Sequence, residues 1–149
     1  MTDPTFAADL EALTADIAAS RATLVSAVQR LTDSDLDRAR RGGWPVRRVL
    51  EHVIQSEWLY ATLVAHLRRG TVPERQHISC DGQPVDEILC LLDASRTALL
   101  QALDGVSEDA FYDVQRMGHE EYSVLSILEN VANHDREHAA QVGVTLSAT

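Results

Sequence analysis

The chain has 149 residues, 45% of them hydrophobic, and a formal net charge of −10 from 23 acidic and 13 basic residues. A chain of this length and apolar content buries a core without covalent staples, and no apolar run reaches the roughly 20 residues that cross a bilayer. The acidic balance repels a phosphate backbone, so neither nucleic acid nor membrane is an expected partner.

The first segment, MTDPTFAADLEAL, is acidic and lacks the basic-then-apolar order of a signal peptide, so a cytoplasmic location is expected. From about Thr5 to Leu31, Phe6, Leu10, Leu13, Ile17, Leu24, Val28 and Leu31 recur at three- and four-residue steps, which predicts a helix. Thr32-Asp33-Ser34-Asp35 ends it, because these side chains compete for backbone hydrogen bonds. Arg38, Arg40, Arg41, Arg47 and Arg48 cluster among acids and are expected to be solvated around a helix-connecting loop. A second helix opens at Gly43-Trp44-Pro45, with proline at its first position, and runs to Gly70 behind Val46, Val49, Leu50, Val53, Ile54, Glu57, Tyr60, Ala61 and Val64.

A third helix starts near Pro84 and carries Val85, Ile88, Leu89, Leu92, Leu99, Leu100 and Leu103 to Gly105. The fourth begins at Ser123, an N-cap residue type, with Val124, Ile127, Leu128, Val131 and Val142 inward. Aromatic residues are few and β-branched residues do not alternate, so no strand is expected. Residues 1–149 thus predict a single all-α domain, a four-helix bundle. Cys80 and Cys90 form no CxxC pair and are expected as free thiols, Cys90 and Met117 serving as packing.

The chemistry lies with the histidines. His134 and His138 stand four residues apart, so both imidazoles project from one side of the fourth helix, at the edge of its inward stripe and within it. Buried imidazoles need partners, and a metal ion satisfies both. His52, on the flank of the second helix with Ser56, Leu59 and Leu63, is the expected third ligand. It lies near its helix start, whereas His134 and His138 lie toward their helix end. The three share a level only if helices two and four run antiparallel; a plain up-down-up-down bundle would separate them by roughly 10 Å. An up-down-down-up path removes that gap and needs a long crossover between helices two and three. Residues 70–83, GTVPERQHISCDGQ, are long enough to provide it.

Two segments carry a family resemblance. Gly43-Trp44-Pro45-Val46-Arg47-Arg48-Val49-Leu50-Glu51-His52 resembles the G-W-S-x-x-E-x-L-x-H opening of helix two in the DinB/YfiT-like superfamily. His134-Asp135-Arg136-Glu137-His138-Ala139-Ala140-Gln141-Val142 resembles its closing H-x-x-x-H-x-x-Q-I segment, with Ala139-Ala140 where many members read Arg-Gly. The resemblance implies an up-down-down-up bundle holding one nickel- or zinc-type ion on His52, His134 and His138. It also implies a metal-dependent enzyme, of the kind that isomerises or transfers with a low-molecular-weight thiol.

Four further residues are candidates for catalysis. Glu57 and Tyr60 point inward beyond His52, as a fourth ligand or general base and as a hydrogen-bond donor to a small-molecule substrate; the alternative is a snorkelling carboxylate and a core aromatic. Arg96 and Asp135 interrupt apolar stripes, so they are expected to pair with each other or to face the metal cavity, with Asp135 orienting a histidine of another helix. His66 is near 21 Å along the helix from His52, too far to share a metal, and His77 and His119 fall in expected loops. Trp58 falls off the core stripe and is expected to mark a homodimer surface. An open metal position suits a thiol transferase or isomerase, a hydrolase, or a non-catalytic bundle binding metal or a small ligand.

Overall fold

A computed structural model describes residues 3–74 and 76–147. Its elements are α1 (Pro4–Gln29), a short 3-10 helix (Asp33–Asp37), α2 (Val46–Leu67), α3 (Val85–Leu103), α4 (Glu108–Tyr112), β1 (Gln115–Met117), β2 (Glu120–Tyr122) and α5 (Val124–Ser147). The four long helices form the bundle, and α5 is the fourth helix expected from the sequence. Asp3 caps α1 by accepting from the Thr5 N–H. Thr32 and Asp35 cap the 3-10 helix reciprocally. At the start of α5, Ser123 Oγ accepts from the Ser126 N–H while Ser126 Oγ accepts from the Ser123 N–H, so two orphan donors are satisfied at once. Pro45 is the N-cap of α2 rather than its first helical residue, with φ −60° and ψ 152°.

Hydrogen bonds at the helix ends fix the directions. Arg47, in the first turn of α2, donates to the carbonyl of Gln83 just before α3, and Arg68, at the end of α2, donates to the carbonyls of Ala102 and Asp104. Like ends meet, so α2 and α3 run the same way. Arg21 of α1 donates to the carbonyl of Leu92, and Arg96 of α3 to that of Ile17, which is an antiparallel pairing. Arg38, ahead of α2, donates to the carbonyl of Leu146 at the end of α5, so those two helices are antiparallel as well.

The crossover from α2 to α3 is stitched back onto α2 by residues four apart. Arg47 donates to the carbonyl of Cys80 (2.7 Å), Glu51 accepts from the Cys80 N–H (3.0 Å), and Gln55 donates to the carbonyl of Ile78 (2.9 Å). A stripe of period four is one face of a helix, so the returning chain lies along that face. Asp33 then accepts from the Val85 N–H and caps α3, which has no cap of its own.

The apolar core divides into two layers. One gathers Ile17, Ala61, Leu99, Phe111, Val124, Leu128 and Val131; the other gathers Leu24, Val49, Val53, Ile54, Ile88, Leu92 and Val142. Between them lies a band of buried charge formed by Arg21, Glu57, Arg96 and Asp135.

The structure corrects four expectations. β1 and β2 form an antiparallel hairpin with Met117 opposite Glu120. Gly118, at φ 69°, leads its two-residue turn, and positive φ at the first central residue with none at His119 is the type II′ pattern. Strands of three residues are too short for alternation to register. Cys90 is exposed rather than packed. Leu100 lies 43% exposed, off the α3 core face. Trp58, expected off the core stripe, is partly buried and packs against both apolar layers.

Candidate metal centre

His52 projects from the second turn of α2, and His134 and His138 from successive turns of α5. Both helices are held in place by apolar neighbours of these residues: Val49 and Val53 are buried beside His52, and Val131 and Val142 flank the α5 pair. The antiparallel pairing brings the three rings together. His134 Nε2 lies 3.1 Å from His52 Nε2 and 3.0 Å from His138 Nε2. All three rings are half-buried, and one ligand atom from each lies within 4.8 Å of the others.

The donor chemistry fits a divalent ion. Metal–nitrogen bonds near 2.0–2.1 Å in a tetrahedral shell put ligand nitrogens about 3.3 Å apart, close to the spacing found. Gln141, one turn beyond His138, presents Oε1 at 2.7 Å from His138 Nδ1. A carbonyl oxygen only accepts, so this contact favours the tautomer with the proton on Nδ1, the one that turns the Nε2 lone pair toward a metal. Burial, then the neighbouring His138 and His52, push the His134 pKa down to about 4. Burial, followed by His138 and Arg48, also lowers that of His52. Both imidazoles are therefore neutral near pH 7, the form that coordinates.

Aromatic groups edge the cluster. Trp44, 45% exposed, stands edge-on to His52 with ring centroids 5.5 Å apart, and the Arg48 guanidinium lies 5.1 Å from the Trp44 ring. On the other side the Tyr60 ring is 6.2 Å from that of His134. Burial, then Tyr122, Glu137 and Asp135, raise the Tyr60 pKa, so its phenol keeps its proton. Arg47 is not solvated: besides its bonds to the crossover it pairs with Asp37.

The other candidates lie elsewhere. Glu57 is 2% exposed and belongs to the buried charge band rather than to the group of atoms around the histidines. Its Oε1 accepts from Ser95 Oγ (2.7 Å), and its Oε2 pairs with Arg96 Nε (2.8 Å) and Arg21 Nη2 (2.9 Å). Arg96 and Asp135 do meet, at 2.8 Å between Nη2 and Oδ2, but Asp135 also binds Arg21 at 3.1 Å. The hydrogen bonds of Asp135 go to arginines and not to a histidine of another helix. Burial works against the Arg21 charge, but Glu57 and then Asp135 outweigh it and raise its pKa. Arg21 and Ser95 were missed from sequence. The signal was present for Arg21, which fills the gap in the α1 stripe between Ile17 and Leu24. His66, His77 and His119 are exposed and outside the cluster.

Fold and site together define a helical bundle with a three-histidine cluster set between two antiparallel helices. The model of the DinB superfamily matches residues 16–142, and the chain belongs to that superfamily. It is similar to TT2238, a four-helix bundle protein, with 22% identity and a TM-score of 0.68 over 89% of this chain and 96% of the other. It is also similar to a DinB-like protein from Bacillus cereus ATCC 10987, with 18% identity and a TM-score of 0.66 over 93% and 89% of the two chains. No curated protein matches the chain.

Proposed function

We propose that His52, His134 and His138 hold one divalent ion, zinc or nickel, and that the chain is a metal-dependent enzyme working with a low-molecular-weight thiol. The observation that carries the metal assignment is the meeting of three imidazole Nε2 atoms, with 3.0 and 3.1 Å between successive ones. Three protein ligands leave a coordination position open, the pattern of catalytic rather than closed structural sites. A divalent ion bound there supplies a centre that keeps a coordinated thiol deprotonated at neutral pH.

The surrounding residues divide the remaining work. Gln141 holds the His138 tautomer, and the Tyr60 phenol, which keeps its proton, is a hydrogen-bond donor beside His134. Trp44 with Arg48 above it offers a flat edge to a substrate, the guanidinium also pairing with the Glu51 carboxylate. Where Glu57 sits favours thiol transfer or isomerisation over hydrolysis. A hydrolase needs a general base next to bound water, and both Glu57 oxygens are engaged in the buried band.

Metal analysis of protein purified without a histidine tag should find about one divalent ion per chain. His52→Ala, His134→Ala and His138→Ala should each weaken binding more than tenfold, whereas His66→Ala and His77→Ala should not. Equal losses in all five variants would overturn the assignment. Cobalt-loaded protein should develop a sulfur-to-cobalt charge-transfer band on adding a small thiol. Absence of that band with cobalt bound would exclude the thiol role and leave a non-catalytic ligand-binding bundle.

A further inference from the structure

The buried charge band sits at one level of all four long helices. Arg21 lies between Ile17 and Leu24 on α1, Glu57 between Ile54 and Ala61 on α2, Arg96 between Leu92 and Leu99 on α3, and Asp135 between Val131 and Val142 on α5. Each carboxylate binds both arginines and each arginine binds both carboxylates, so the four side chains close a ring. The remaining Nη1 groups are satisfied by backbone, Arg21 on the carbonyl of Leu92 (2.9 Å) and Arg96 on that of Ile17 (2.8 Å).

We infer that this ring is a register lock for the histidine cluster, and that Arg21, Glu57, Arg96 and Asp135 are its positioning residues. The inference rests on the metal-site reading above. Apolar layers are non-directional: side chains of suitable size fill a core, but a unique arrangement demands more. A metal site demands that uniqueness, because coordination tolerates displacements of only a few tenths of an ångström. Here the ring and the site share two helices. Asp135 follows His134 directly, and Glu57 lies five residues after His52 on α2. A helix is stiff over so short a span, so pinning Glu57 and Asp135 to the same two guanidinium groups pins His52 against His134 and His138.

Energetics support geometry rather than stability as the ring's contribution. Desolvating four charges offsets much of their attraction, and well-packed apolar replacements of such groups often fold as well or better. Neither arginine is replaceable by lysine for this purpose. Only a planar guanidinium presents several donors in fixed directions, and Arg96 uses three nitrogens toward Glu57, Asp135 and Ile17.

The test compares wild-type protein with the fourfold variant Arg21→Met/Glu57→Leu/Arg96→Met/Asp135→Leu and with Arg96→Lys, measuring cobalt affinity and the cobalt d–d absorption spectrum. The fourfold variant should keep its helical circular dichroism and its melting temperature. Its cobalt affinity should fall about tenfold to a hundredfold, with a changed d–d envelope, as when the groups that orient metal ligands are altered. Arg96→Lys should show the same spectral change with a smaller loss of affinity, and it decides the matter if the fourfold variant does not fold. A folded variant with wild-type affinity and spectrum would overturn the lock and leave the ring purely structural. Wild-type protein that binds no cobalt would overturn the metal reading, a result seen before any variant is made.

Discussion

Gln141 holds His138 from one turn further along α5, with its side-chain oxygen 2.7 Å from the imidazole Nδ1. Two residues of one helix thereby settle which nitrogen faces the other histidines, before any ion arrives. Removing such a partner from a metal-binding imidazole generally costs tenfold to a hundredfold in affinity. Gln141→Ala should therefore weaken zinc binding by about tenfold or more, read by competition with a chelating dye. Because Gln141 is only partly buried, thermal stability of the metal-free variant should stay close to that of the parent. An unchanged zinc affinity would mean that His138 needs no such support.

The charge ring makes a sharp prediction about stability. Asp135 is 2% exposed, and Asp135→Ala would leave Arg21 and Arg96 with one carboxylate between them. Stripping one partner from a buried ion network typically costs about 3–5 kcal/mol. Asp16, by contrast, pairs with Arg136 where both side chains are more than two-fifths exposed, and losing such a surface pair costs about 1 kcal/mol at most. Urea melts of Asp135→Ala and Asp16→Ala should separate the two cases clearly. Similar midpoints for both would contradict the tight burial of the ring.

The two thiols should differ in reactivity. Cys90 is exposed, whereas Cys80 is fully buried and its pKa is pushed up to about 11, by burial first and then by the Glu51 carboxylate. At pH 8 Cys80 is thus protonated as well as shielded, and only the thiolate reacts. A disulfide reagent should modify one thiol quickly, and Cys90→Ser should abolish that fast phase. The slow phase should accelerate as pH rises toward 11. Glu51→Ala, which removes the acceptor of the Cys80 N–H, should speed it by promoting local opening of the crossover. A fast phase surviving in Cys90→Ser would show Cys80 to be accessible.

Metal removal should leave the bundle standing. Both apolar layers are complete without the histidines, whose rings lie at the flank of the core, and burial on this scale folds a chain of this size. Chelation should lower the melting temperature, since an ion bound to the folded state alone stabilises it. Helical circular dichroism at 25 °C should change little. Loss of the helical signal on chelation would instead make the ion a structural element.

How much of this is legible in the sequence differs by feature. Helices of 19 to 26 residues repeat their apolar pattern over several turns, and α1, α2, α3 and α5 stand out for that reason. The candidate site is legible because His134 and His138 share a helical face, and the crossover length sets which helices run antiparallel. The charge ring is half legible. Arg96 and Asp135 break apolar stripes and invite pairing, and Arg21 fills a gap in the α1 stripe in the same way, but periodicity says nothing of which four charges meet. The stitching of the crossover is not legible at all. Arg47, Glu51 and Gln55 bind backbone groups, and a backbone acceptor has no sequence signature. Glu57 misleads for a similar reason: its position on the helix faces inward, but which inward neighbour it meets depends on residues of α1 and α3.

A closed ring of four charges also constrains how this chain can change over time. Any single replacement by a neutral residue strands an opposite charge in the interior, so each first step from the ring toward an apolar core crosses a dip in fitness. The four positions are therefore inherited as one character. Related chains should carry all four charges or an apolar set in their place, and intermediates with two or three should be rare.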